Sequence, residues 1–232
     1  MTGDTITAAP GGAYPGHVSS NPRPSWFYVL VGGLSWPVLR LVYRLRASGA
    51  DNLPPAGGYV LAANHWSNFD PWPLGVPLFP GRYLRFMAKA ELFWFPLSVI
   101  IRAGGGFRVN RGMRDQEAID TAIRLCEEGN VVVMFPEGTR RRKGLRKKYE
   151  ATWHTGAARI ALEAGVPLVP AAVVGTQRLS RLAQLKVAYG PPIDLTDLAG
   201  QEPHDAAPAA TDRLRAAITA LEQSLGGGPE TS

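Results

Sequence analysis

Cysteine is almost missing from this chain: Cys126 is the single one in 232 residues. No disulfide can form within the chain, which points to a reducing compartment, and no Cys/His cluster exists to hold zinc. A long apolar run is missing too. The most hydrophobic segment, WFYVLVGGLSWPVLRLVYRLR at 26–46, stays uncharged for 14 residues before Arg40. A helix crossing a bilayer needs ~20. Charged residues make up 19% against 45% hydrophobic, a balance that excludes a disordered, charge-rich chain. Residues 1–24 lack the basic start and apolar centre of a signal peptide and read as a flexible tail, as do 226–232. No Gly-x-Ser-x-Gly elbow surrounds Ser67, and the GGGFRVNRG stretch at 104–112 lacks the Gly-Lys-Ser/Thr ending of a nucleotide phosphate loop.

Positive charge is present, and it is concentrated. The net charge is +6, and 15 of the 25 Lys and Arg fall between 82 and 148, while 191–232 is acidic. Such asymmetry suits an anionic partner: a phosphate ester, a lipid head group or a nucleic acid.

Apolar runs at 59–64, 83–88, 106–110, 130–135 and 166–173 read as buried strands, with an edge strand at 185–191. Between them lie helical patterns at 92–103, at 114–129 closing on Gly129 and at 155–165 closing on Gly165, and an amphipathic helix follows at 210–228. This alternation predicts an α/β fold, a mostly parallel central sheet covered by helices, over 48–225.

Residues 25–47 form a separate interfacial segment. Gly32-Gly33 and Pro37 would bend a helix there, Arg40 and Arg44 would share one face, and Trp26, Tyr28, Trp36 and Tyr43 suit a membrane interface. A core helix and a membrane span remain alternatives; a helix or helical hairpin lying in the membrane surface is the preferred reading.

In open α/β sheets, ligands sit beyond the carboxyl ends of the strands. Three unusual segments fall there: NHWSNFD after the first strand, RVNRG after the third and PEGTR after the fourth. His65 and Asp70 are five apart and can meet only if the chain turns between them, for which Ser67-Asn68 supplies the chemistry. If they meet, Asp70 fixes the imidazole tautomer and leaves the other nitrogen as a base for a hydroxyl. A structural histidine satisfied by a nearby carboxylate fits the spacing as well. Arg108 and Arg111 read as candidate phosphate clamps or as solvent-facing side chains. Glu137, at the start of a turn permitted by Gly138, would accept from a hydroxylated substrate or orient an arginine, and seven basic residues follow within 140–148. Cys126 lies on the apolar side of a helical pattern with Ile119 and Ile123 and reads as packing.

Taken in order, NHWSNFD, GGGFRVNR, FPEGTR and VPLVPAAV resemble the four motif blocks of the glycerolipid acyltransferase family, closest to its bacterial lysophosphatidate acyltransferase branch. AKAEL at 88–92 and GAARIALEAG at 156–165 are also similar. The resemblance covers about half the chain. It implies that His65, held by Asp70, deprotonates the free hydroxyl of a lysophospholipid, which attacks the thioester of acyl-CoA or acyl carrier protein without an acyl-enzyme. It further implies substrate-binding roles for Lys89, Arg111, Glu137, Gly138, Thr139 and Arg140. Backbone N–H groups near Gly138 or in the Gly104–Gly106 turn become candidate oxyanion donors. The expected partners are the lysophospholipid, the acyl carrier and the cytoplasmic face of the cell membrane. No nucleic acid, metal or cofactor is expected. The family usually has a basic residue before the GA of 156–157, where this chain has His154-Thr155. That departure keeps another lyso-lipid acceptor open, an ornithine lipid or a glycolipid. A non-catalytic basic binding protein is the reading from another class.

Overall fold

The computed structural model describes residues 22–109, 116–138 and 153–227. Seven strands form one sheet in the order β1-β7-β6-β2-β5-β3-β4: β1 Arg46–Ser48, β2 Tyr59–Ala63, β3 Leu84–Lys89, β4 Gly106–Val109, β5 Val131–Met134, β6 Leu168–Val174 and β7 Lys186–Tyr189. β2, β3, β4, β5 and β6 run parallel; β7 is antiparallel to β6 and carries β1 parallel beside it. The expected α/β architecture is therefore present. β7 is not an edge strand, because the short β1 pairs outside it. β1 lies across the junction between 47 and 48, beginning at the last residue of the Leu-Val-Tyr-Arg-Leu-Arg run at 41–46.

The central strands are uninterrupted apolar runs because both faces are covered. Along β2, Val60 and Ala62 join the rear cluster, while Tyr59, Leu61 and Ala63 join the front one. The rear layer is α4 Gln116–Glu127, α5 Gly156–Glu163 and α6 Pro203–Ser224. Small residues let it sit close: Ala122, Ala157, Ala158, Ala161, Ala206, Ala207 and Ala210 are all buried there. At the start of β2, a Cβ on Gly58 would lie 1.9 Å from the Cys126 carbonyl oxygen, so only glycine lets the strand pass the end of α4. α6 begins at Pro203, before its large apolar residues, because its first turns bury alanines that the hydrophobic pattern underweights.

The front layer is α1 Trp26–Pro37, α2 Pro71–Gly75 and α3 Leu97–Ala103. α1 runs through Gly32-Gly33 without breaking, and at Pro37 the chain loosens into a π-turn over Val38–Val42. Gly32 marks its contact with the turn after α2, since a Cβ there would meet the Phe79 ring at 2.6 Å. Arg40 and Arg44 do not share a helix face: Arg44 lies beyond the π-turn with φ 49° and donates to the Leu182 carbonyl, whereas Arg40 lies over the Trp36 ring. The expected helix at 92–103 is also shorter, since Pro96 precedes its first turn and only 97–103 is α-helical. No helix among the described residues is long and apolar enough to cross a membrane.

Candidate active site

β2 and β5 are neighbours, so NHWSNFD and FPEG emerge side by side at the carboxyl end of the sheet. The chain turns at once after β2. Asp70 closes this turn: its Oδ2 accepts from His65 Nδ1 at 2.8 Å, from the Trp66 backbone N–H at 2.7 Å and from the Ser67 N–H at 2.9 Å. Ser67 Oγ accepts from the Phe69 N–H, and the Ser67 carbonyl accepts from the Asp70 N–H. The five-residue spacing thus works through one carboxylate oxygen that holds both the ring and the loop carrying it. Asp70 is fully buried at the entrance to α2, whose first residue is Pro71.

The imidazole is fixed on a second side. Phe135, just past β5, stacks on His65 with ring centroids 4.1 Å apart and planes 18° from parallel. Aromatic packing and a carboxylate together leave the ring one orientation. With Nδ1 donating to Asp70, the lone pair resides on Nε2. His65 is 8% exposed, so a hydroxyl can approach only its open edge.

Asn64 and Trp66, on either side of His65, are held from behind. Asn64 Oδ1 accepts from the Val173 N–H at 2.8 Å and its Nδ2 donates to the Val173 carbonyl at 3.0 Å, so a side chain extends the β2–β6 ladder by one step. Its Nδ2 also lies 3.2 Å from Glu222 Oε1, which accepts from Trp66 Nε1 at 3.1 Å.

The other anticipated residues divide into three groups. Glu137 and Gly138 follow β5 beside the histidine. Glu137 is 1% exposed, which suits a residue that orients neighbours more than one reaching into solvent. Gly138 has φ +66°, and a Cβ there would lie 2.5 Å from the His154 ring, so the turn and that imidazole fit only around glycine. Lys89 ends β3 and is exposed; extending the β3–β5 and β5–β2 registers places it level with Pro136 and Asn64, at the same end of the sheet. Arg111, Thr139 and Arg140 lie outside the described residues, as does the basic run to 148.

Of the expected oxyanion donors, Gly104, Gly105, Gly106 and Gly138 lie among the described residues. The N–H groups of Gly138, Gly104 and Gly105 already donate to the carbonyls of Phe135, Ile100 and Arg102. Gly106 opens β4, level with Phe86 and four residues short of the level of His65. A turn that precedes a parallel strand sits at the amino end of the sheet, away from His65.

Residues 44–174 match the model of the family described as Acyltransferase. The chain belongs to the acyltransferase family. Among its relatives is the 1-acyl-sn-glycerol-3-phosphate acyltransferase of Bacillus subtilis (strain 168), 31% identical over 194 residues, a span of 81% of this chain and 93% of that one. The human 1-acyl-sn-glycerol-3-phosphate acyltransferase alpha is 31% identical over 184 residues, covering 74% of this chain and 61% of the relative. The crystal structure of the 1-acyl-sn-glycerophosphate (LPA) acyltransferase from Thermotoga maritima superposes with a TM-score of 0.61 at 23% identity, over 88% of this chain and 80% of that one, which shows a shared fold. In this acyltransferase a second feature lies in the front layer. An apolar cavity of about 290 Å³ opens beneath α1, bounded by Tyr28, Val31, Pro71, Val76, Phe86 and Ile101. Pro71 is the residue next to Asp70.

Proposed function

We propose that this enzyme transfers a fatty acyl group to the free sn-2 hydroxyl of 1-acylglycerol-3-phosphate, giving phosphatidic acid, with acyl-CoA or acyl carrier protein as donor. The observation that carries the reading is the 2.8 Å bond from His65 Nδ1 to Asp70 Oδ2 in a chain whose relatives act on this acceptor. His65 Nε2 takes the hydroxyl proton as the oxygen attacks the thioester carbonyl. The carbon–sulfur bond then breaks, and the leaving thiolate recovers the proton from the imidazolium, so histidine and thiol end neutral. Asp70 stabilises the imidazolium while it exists. No acyl-enzyme is needed, because the acceptor oxygen is itself the nucleophile.

Lys89 and Glu137 stand at the end of the sheet where the acceptor would lie, with Gly138 shaping the turn. Arg111, Thr139 and Arg140 complete the proposed phosphate site on the strength of the family motifs. The cavity beneath α1 suits an acyl chain: it is apolar, and Pro71, which follows Asp70, forms part of its wall. The exposed apolar side chains of α1 and its neighbours suit a peripheral site on the cytoplasmic face of the membrane, from which a lyso-lipid need not leave the bilayer completely.

The deciding assay follows transfer from labelled acyl-CoA and acyl carrier protein to 1-acylglycerol-3-phosphate in vesicles, with His65→Ala in parallel. A general base is worth ~100- to 10,000-fold, so the folded variant is expected to lose at least that much. Persistent transfer in His65→Ala would remove His65 from the mechanism. Transfer to a lyso-ornithine lipid or a glycolipid, and none to the phosphate acceptor, would overturn the acceptor assignment.

A further inference from the structure

We propose that Glu222, near the end of α6, is a positioning residue for His65; the inference rests on the reading of His65 as the base. Glu222 lies behind the sheet, two residues before the helix ends, and is 4% exposed. Residues 211, 214, 218 and 222 form the buried stripe of α6, in which Leu214 and Ile218 are fully covered. An aliphatic residue at 222 would continue that stripe at no desolvation cost, whereas a buried carboxyl has to be compensated by hydrogen bonds. One of its oxygens, Oε1, accepts from both Asn64 and Trp66, the residues immediately before and after His65.

This arrangement has a mechanical consequence. β2 ends at Ala63, so the backbone at 64–66 has left the ladder. Asp70 holds the His65 ring and the following N–H groups from the front. Without a tie from behind, the peptides flanking His65 could rotate about the strand direction and carry the ring with them. Asn64, clamped to both polar groups of Val173, stops rotation on one side, and Glu222 couples that clamp to Trp66 on the other. The Nε2 lone pair is therefore aimed by two carboxyl groups on opposite faces of the sheet. Asp70 bonds to the ring directly; Glu222 acts only through its neighbours, which makes it a positioning residue and not a catalytic one.

The test compares Glu222→Ala, Glu222→Gln, Trp66→Phe and His65→Ala in the full chain, with the vesicle assay as readout. Misplacing a reacting group by about 1 Å costs up to ~100-fold, so Glu222→Ala is expected to lower kcat about ten- to 100-fold while KM for both substrates stays within about two-fold. The Gln carbonyl can accept from both donors, so Glu222→Gln is expected to restore most of kcat. The downfield proton signal of His65 Nδ1–H should weaken or move in Glu222→Ala and return in Glu222→Gln. A wild-type kcat in Glu222→Ala, a loss confined to KM, or a Gln variant no better than Ala would each overturn the proposal. Where Glu222→Ala does not fold, Trp66→Phe decides, since it removes one donor and leaves the carboxylate bonded to Asn64. A several-fold lower kcat is then expected, and an unchanged one overturns the idea. His65→Ala separates the two claims: if it retains activity the base assignment fails, and if it is inactive while Glu222→Ala is normal only the positioning role fails.

Discussion

On the rear of the sheet, α4 and α6 bury apolar stripes and turn Glu117, Asp120, Arg124, Glu127, Asp212 and Arg215 outward. On the front, α1 buries none of its residues fully and turns Trp26, Leu30, Leu34 and Trp36 outward. The contrast is nearly complete. Among the described residues, every exposed large hydrophobic except Leu182 belongs to 26–42, 92–100 or Trp72. Both layers cover the same apolar strands, so the sheet does not impose the difference. It lies in what the outer faces are made to meet: water on one side and, in the proposed function, lipid on the other. The apolar cavity lies within this front layer, and His65 follows β2 at the sheet's carboxyl end.

The largest expected effect breaks the comparison at its front face. Trp26 and Leu41 are each 77% exposed and Leu34 67%. If they enter a bilayer, each contributes at least ~1.5 kcal/mol, so replacing all three by Glu should weaken vesicle binding by at least ~4.5 kcal/mol, more than about a thousand-fold. Thermal stability should not fall, because these side chains are already in water. Glu at the exposed Ala209 and Ala216 of α6 is the control and should leave vesicle binding unchanged. Equal losses from both faces, in vesicle sedimentation, would sink the distinction.

The second effect lies on the rear face. Leu214 is fully buried against the alanine-lined layer. Leu214→Ala should cost ~3 kcal/mol of unfolding free energy in a denaturant titration. Vesicle binding by the remaining folded protein should not change. A variant that loses lipid binding at unchanged stability would mean that the rear layer also contacts membrane.

How far the sequence reveals this division depends on which force sets each element. The strands are legible because they are buried on both faces and so read as apolar runs, and α4 and α5 are legible because one face is polar and glycine closes each. The front layer is less so. Its helices are apolar all round, which removes the periodicity, and the break at Pro96 and the π-turn after Pro37 follow from backbone geometry. The short β1 pairs through backbone groups, and its side chains carry no strand signal. In the site, the His65–Asp70 pair is visible as a spacing plus turn residues. Phe135 is not, since a phenylalanine after a valine run reads as more core. Glu222 leaves one trace, an acid that continues the helical spacing of Leu214 and Ile218. Its partners are more than 150 positions away, and only the packing of α6 behind β2 reveals them.

The smallest effect concerns protons that the folded core retains. Burial raises the Cys126 thiol in the rear layer and the Tyr28, Tyr59 and Tyr189 hydroxyls in the front, Tyr59 to about 12. The unfolded chain releases these protons near the ordinary values of 9.0 for the thiol and 10.0 for the phenols. Groups whose folded values are raised contribute stability that is fully present below the unfolded value and is lost as pH rises. Denaturation midpoints should therefore hold steady up to pH ~9 and fall above it, first through Cys126 and then, about one unit higher, through the tyrosines. Cys126→Ala should delay the onset by removing the rear group alone, at the cost of a small cavity beside α4. The wild-type thiol, 1% exposed, should resist alkylation until the protein unfolds. A cysteine placed at Leu34 should label at once in buffer and become protected on vesicles. Labelling of Leu34→Cys that is indifferent to vesicles would take the lipid away from the front face and leave its apolar side chains to be covered by something else.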